Sequence, residues 1–259
     1  AARGRCVGTG AMARALSVPA PLPPGPPPGP GHIVKARDTP LQTVGVGVDE
    51  QEIPHHESLR EASGIGAMPV IVADLHSAIP AILVGLRETG SDVRVAYVMT
   101  DGGALPMAFS RTVAGLSAAG WLAGTITLGQ AFGGDLEAVN VHTGLLAAAH
   151  VLHADVAIVA QGPGNLGTDS PWGFSGVASG EAVNATAVHG GPAIASLRLS
   201  EADLRDRHPG LSPHSVTAYR LLAMAAAALR VPLSGGASGA PVPPPPPPPP
   251  RPLPYPPRP

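Results

Sequence analysis

From residue 53 onward the chain repeats one rhythm: a short apolar run, a cluster of turn residues, then a helical stretch. The runs are 69–75 (PVIVADL), 93–99 (VRVAYVM), 124–128 (GTITL), 156–160 (VAIVA) and 193–199 (AIASLRL). Each is short and rich in Val, Ile or Leu, as expected of strands covered on both faces. Helices are predicted between them at 77–89, 105–119, 135–150 and 177–188, with a last one at 215–229. Ser77 stands at an N-cap position, and Gly90, Gly120 and Gly190 follow predicted helix ends. Strands alternating with helices of this length predict a doubly wound α/β domain. Its mostly parallel, five-stranded sheet is Rossmann-like in its layering.

Composition divides the chain. Of 33 Pro, residues 1–31 hold 8 and residues 231–259 hold 15, leaving 10 for the 199 residues between. The domain is therefore placed at 51–230. It is preceded by a Pro/Gly-rich segment (1–31) and a connector with one short strand within 41–48 (32–50), and followed by a tail (231–259). The tail contains an unbroken Pro run, 243–250, which favours polyproline II and builds no core, so both ends are expected to be disordered. A net charge of −2, with one Lys (Lys35) among 16 basic residues spread along the chain, excludes a basic nucleic-acid footprint. The single cysteine, Cys6, excludes an intrachain disulfide framework and suits a cytoplasmic location. No apolar run reaches the ~18 residues of a membrane-spanning helix.

In a doubly wound fold ligands bind outside the carboxyl ends of the strands. Four of the five predicted strands carry a carboxylate near that end, in a chain with only 13% charged residues. The first ends in Asp74-Leu75-His76-Ser77 and the second in Thr100-Asp101-Gly102-Gly103. The third is followed by Gln130 and Asp135, and the fifth by Glu201 and Asp203. Carboxylates and an imidazole on one edge are the material of acid/base catalysis or of a divalent-metal site. His76 is the acid/base candidate, with Asp74 and Asp101 as partners. A metal would be held by Asp135 with Asp74 and Asp101. The competing reading is that the Asp residues cap helices.

After the fourth strand, Gly162, Gly164 and Gly167 have the G-x-G-x-x-G spacing, which lets backbone N–H groups approach a phosphate ahead of a helix. Pro163 and the segment 169–173 interrupt the pattern, and Glu201 lies 34 residues past Gly167 rather than the usual ~20. An anion or substrate loop using Gly162, Gly164, Asn165, Gly167 and Thr168 therefore stands beside a plain structural turn. Ser77, Gly102, Gly103, Gln130 and Glu181 complete the candidate ligand contacts. His142, seven residues beyond Asp135 on the predicted helix, could share a face with it. No Walker A loop, G-x-S-x-G elbow or H-E-x-x-H motif occurs.

The strings HIVKARDTPLQ (32–42), PHHESLREA (54–62), MPVIVADLHSAIPAILVGL (68–86), YVMTDGGALP (97–106), GQAFGGDLEAVNVHTGLLAA (129–148), VAQGPGNLGT (159–168), WGFSGVASGEAVNA (172–185) and SLRLSEAD (196–203) together resemble an uncharacterised bacterial family, domain of unknown function 3866. The resemblance spans about residues 32–220. It implies the same domain and no known reaction. It also implies a small β-rich N-terminal region, most of which this chain lacks, and the Pro-rich tail departs from the family pattern. The function expected is an enzyme acting on a small polar metabolite, phosphorylated or not, at the strand ends. Partners are expected to be that small molecule and further copies of the chain, with no nucleic acid and no membrane. The alternatives are a non-catalytic domain binding a nucleotide-like ligand, and a truncated fragment without function.

Overall fold

The computed structural model describes residues 31–37, 42–88, 92–200 and 210–229. The Pro-rich segments at both ends, Gly90, Glu201 and Asp203 lie outside the described residues. Two short strands, β1 (Ile33–Lys35) and β2 (Thr43–Gly45), pair antiparallel where one was expected, and α1 (His56–Glu61) follows. The alternating region then runs β3 (Val70–Ala73), α2 (Ile79–Arg87), β4 (Val95–Thr100), α3 (Arg111–Ala118), β5 (Gly124–Leu128), β6 (Leu136–Ala138), α4 (Val141–His150), β7 (Val156–Gln161), α5 (Ala178–Val188) and β8 (Ala193–Ser196). The described region closes with the two-residue pair β9 (Leu199–Ser200) and β10 (Gly210–Leu211), then α6 (Pro213–Val216). A π-helical stretch, Thr217–Leu222, and β11 (Ala227–Leu229) end it.

The main sheet is parallel and has seven strands, ordered β11-β8-β3-β7-β4-β5-β6. Alternate residues of the central strands feed two cores. Val70, Val72, Ala96, Val98, Ala157 and Val159 pack under α4 and α5 with Leu145, Ala148 and Val183. Ile71, Val95, Tyr97, Met99 and Ile158 pack on the opposite face under α2 and α3, with Ile79, Leu83 and Val113. Covering on both faces explains the apolar runs and establishes the doubly wound α/β fold.

The expected five strands become seven because β6 and β11 are added at the two edges. Residues 135–150 are not one helix: β6 comes first, and Asn140 caps α4 by accepting from the Thr143 N–H (3.1 Å). The expected helix at 215–229 stops at Leu222. Asn184 Oδ1 accepts from the N–H groups of Met224 (2.6 Å) and Ala225 (3.2 Å), and this turns the chain into β11 beside β8. Ser77 makes no capping bond; it lies in a 3₁₀ turn, His76–Ala78, ahead of α2.

β7 lies between β3 and β4. The chain leaves β4 toward α3 on one face, whereas β6 and β7 lead to α4 and α5 on the other. The connections therefore diverge above the carboxyl ends of β4, β5 and β7, which is where a crevice opens in such sheets.

Candidate functional site

A cleft of about 210 Å³ occupies that position. It is lined by Thr100 and Asp101 from the end of β4, Leu128 and Gly129 from the end of β5, and residues 139–141 at the start of α4. Ala178, Glu181 and Ala182 of the first turns of α5 complete the wall. Asp101 is held in place: its Oδ2 accepts from the Gln130 N–H at 3.2 Å. Gly129 makes this approach feasible. Its φ is +54°, and a Cβ there would overlap the Asp101 carboxylate. Glu181 is exposed on the opposite wall and makes no hydrogen bond or ion pair among the described residues. Of the residues proposed from sequence, Asp101 and Glu181 line this cleft, and Gln130 borders it through its bond to Asp101.

His76 and Asp74 occupy buried positions beside the cleft rather than in its lining. With Nδ1 protonated, His76 donates to the Gln161 carbonyl (3.1 Å), and Nε2 accepts from the Ser110 hydroxyl (2.7 Å). Ser110 in turn caps α3 by accepting from the Val113 N–H (3.0 Å). Tyr97 donates to the same Gln161 carbonyl (3.1 Å). The Gln161 side chain reaches back, its Nε2 donating to the Asp74 carbonyl (3.1 Å) and its Oε1 accepting from Ser175 (2.6 Å). This network joins the ends of β3 and β7 and the middle of β4 to the start of α3. Burial pushes the His76 imidazole below its usual range, opposed by the Gln161 carbonyl, and pushes the Tyr97 phenol up.

Asp74 is 3% exposed. Burial raises its pKa; the hydrogen bond from Ser215 (3.0 Å) and the charge of Arg198 oppose the rise. A carboxyl whose folded pKa is raised stabilises the fold fully at acid pH, and that contribution is lost as pH rises through the folded value. Asp74→Asn keeps the shape and an oxygen for Ser215 while removing the buried charge. The variant is expected to melt above the wild type at about pH 8, by roughly 2–4 °C per kcal/mol relieved, with the gap closing toward acid. Melting curves across pH test this; a lower melting temperature at every pH would show that the carboxylate stabilises the fold.

The structure does not bring Asp135 to this edge. Its Oδ2 accepts from the backbone N–H and the hydroxyl of Thr125 (both 2.8 Å), at the amino end of β5. The metal trio Asp74, Asp101 and Asp135 is therefore not assembled. Among the described residues the one grouping of three metal-ligating side chains is His32, Glu50 and Glu52, beside the N-terminal hairpin. There Glu50 accepts from the His32 N–H (2.9 Å) and lies 2.7 Å from its Nδ1. His142 shares no face with Asp135; its Nδ1 lies 3.1 Å from His189 Nε2.

The glycine loop after β7 folds on itself. Thr168 N–H donates to the Gly173 carbonyl (2.7 Å), Leu166 N–H to Ser175 Oγ (3.0 Å), and Asn165 Oδ1 accepts from Ser175 (2.8 Å). α5 starts at Ala178, eleven residues after Gly167, so no helix opens directly behind the glycines as a dinucleotide fingerprint requires. Gly162 is buried, Gly164 takes φ +93°, and Gly167 bridges Phe174. Gly102 packs where a Cβ would meet Gln161 and Ser175, Gly103 lies against Leu105, and Ser77 is exposed in the middle of the 3₁₀ turn. Asn140 is one of the cleft residues the sequence reading missed. Its signal was an Asn with Thr three residues on, five residues inside the expected helix.

The family whose model matches is described as a protein of unknown function, DUF3866, and the match covers residues 1–240. The chain belongs to this family. The match is wider than the quoted strings and takes in the N-terminal Pro-rich segment. No curated protein and no solved structure matches. Among the described residues of this DUF3866 chain, no helix is long and apolar enough to cross a membrane.

Proposed function

We propose that the cleft between the starts of α4 and α5 is a small-molecule site, and that the protein is an enzyme acting on a small polar metabolite there. The observation that carries this reading is the pair of carboxylates, Asp101 and Glu181, facing one crevice over the carboxyl ends of β4 and β5. Within that lining they are the acidic side chains, so acid/base chemistry in the cleft runs on carboxylates. Asp101, fixed by Gln130 N–H, is the proton acceptor, and Glu181 is the second group. His76, Asp74, Gln161 and Asn165 are positioning residues that set the strand ends and the loop after β7.

The second reading is a non-catalytic ligand-binding domain. It is favoured by the engagement of both His76 nitrogens, which leaves the imidazole without a free position.

Melting of the full chain with a panel of amines, sugars, sugar phosphates, nucleotides and divalent cations tests both readings. A ligand at 100 times its Kd adds about 2.7 kcal/mol, roughly 5–11 °C for a domain of this size. The shift is expected to be lost in Asp101→Asn and kept in Asp135→Asn. A shift that survives both Asp101→Asn and Glu181→Gln would place the site elsewhere. Incubation of the hit with the protein then separates turnover from binding.

A further inference from the structure

We infer that residues 212–222 form a pH-sensitive strap, latched over the carboxyl end of β3 by Asp74 and opened locally when that carboxyl loses its proton. The strap consists of Ser212, α6 and the π-helical stretch that follows. Its ends are tied to other elements. Ser212 N–H donates to the Arg198 carbonyl (3.0 Å), and Asn184 on α5 holds the chain after Leu222 through the N–H groups of Met224 and Ala225. Its middle rests on β3. Ser215 donates to Asp74 Oδ2 (3.0 Å) while accepting from the Arg198 N–H (3.1 Å), and the Tyr219 hydroxyl donates to the Val72 carbonyl (3.1 Å).

Asp74, Ser179 and Ser215 are buried under this cover. A carboxylate in such a place is costly unless it is paired or hydrated. Burial raises the pKa of Asp74, and Ser215 and Arg198 oppose the rise. The charged and titratable groups that face it are Arg198, after β8, and Tyr219, on the strap. Burial and the nearby Asp74 push the Tyr219 phenol up, so it stays a neutral donor. His76 turns its ring to Ser110 and Gln161, and His214, beside Ser215, stacks on Phe174 with ring centres 4.1 Å apart.

Ionisation of Asp74 is relieved when water reaches it. β3 is paired on both sides, with β7 and β8, so it stays in place. The strap is the weaker cover: a single short turn of α-helix, then a π-helical stretch, with Pro213, Arg220 and Leu221 exposed. Because its folded pKa is raised, Asp74 favours the closed strap fully below the unfolded value, about 3.9, and that preference is lost as pH rises through the folded one. The strap packs on α5, where Gly180 leaves room for the Ala218 carbonyl and Leu222, and α5 carries Glu181 and Ala182 of the cleft. An open strap therefore removes the support behind one cleft wall.

Hydrogen exchange of the full chain between about pH 4.5 and 8, with labelling times scaled to the intrinsic rate at each pH, tests this. In the wild type, residues 214–222 are expected to exchange faster than β4 and β7 at every pH. Their protection is expected to fall at least about tenfold from the acid to the alkaline end. The fall disappears in Asp74→Asn and persists in Asp135→Asn, whose side chain lies at the amino end of β5. Protection of 214–222 that stays flat or rises with pH would overturn the inference. So would exchange in step with β4 and β7, which marks a global opening, or a fall that persists in Asp74→Asn. The wild-type series decides alone where that variant does not fold.

Discussion

Lys35→Ala is expected to cost about 3–5 kcal/mol, the usual penalty for stripping one partner from a buried ion pair. Lys35, the one lysine of the chain, is fully buried, and its Nζ lies 3.1 Å from Glu137 Oε2. It also donates to the carbonyl of Ala131 (3.0 Å) and, at 3.4 Å, to that of Ala138. Glu137 accepts from Thr127 Oγ1 (2.7 Å) and the Gly133 N–H (2.7 Å), so removing the lysine leaves a fixed carboxylate without its cation. The pair fastens the β1–β2 hairpin against β6, and the Val48 N–H donating to the Glu137 carbonyl (2.8 Å) continues the seam. A fall of roughly 6–20 °C in melting temperature is expected for the single variant. Lys35→Met with Glu137→Leu is expected to recover much of it, since an apolar pair replaces both charges. A single variant that melts within about 1 °C of the wild type would show that the hairpin is not fastened this way.

The second large effect is expected at His76. His76→Ala removes a buried ring and leaves the Gln161 carbonyl and the Ser110 hydroxyl each short of a partner, for about 3–5 kcal/mol together. The ends of β3 and β7 and the start of α3 meet at that ring. The pH dependence has a definite sign. Burial lowers the folded pKa of His76, so the folded state holds it neutral. Its contribution is complete above the unfolded value, about 6.5, and is lost as pH falls through the lower folded value. His76 therefore weakens the fold in acid, where Asp74 strengthens it. Melting of the wild type and of His76→Gln between about pH 5 and 8 separates the two, because Gln does not titrate and the acid-side loss should shrink. If His76→Ala melted like the wild type and abolished turnover of a bound metabolite, His76 would be a catalytic group rather than a positioning one.

Much of the fold could be read from residue pattern because its central strands are covered on both faces. Residues 70–73, 95–99 and 156–160 form apolar runs buried on both faces, and 124–128 is buried throughout although it carries two threonines. The edge strands gave no such signal. β6 has three residues, one of them Glu137, whose charge is satisfied by a lysine far away in sequence. β11 lies in an Ala-rich stretch with high helix propensity, and the side chain of Asn184 on α5 ends the helix there. Tertiary contacts decided both, and residue pattern does not contain them.

The same division applies to the site. Asp101 and Glu181 were visible as carboxylates at predicted strand or helix ends, and the fold brings them to one cleft. Asp135 has the same local appearance, but the strand β6 that follows it places it at the opposite end of β5. His76 was the acid/base candidate because it follows Asp74 at the first strand end. Here the Ser110 and Gln161 partners turn it inward.

Hydrogen exchange of the full chain, with and without the panel metabolite that raises the melting temperature most, tests the central claim most directly. The account predicts slowed exchange at residues 128–130, 139–143 and 178–182, the segments that surround the cleft. Protection confined to the loop at 162–174 or to the hairpin at 32–52, with these three segments unchanged, would contradict it.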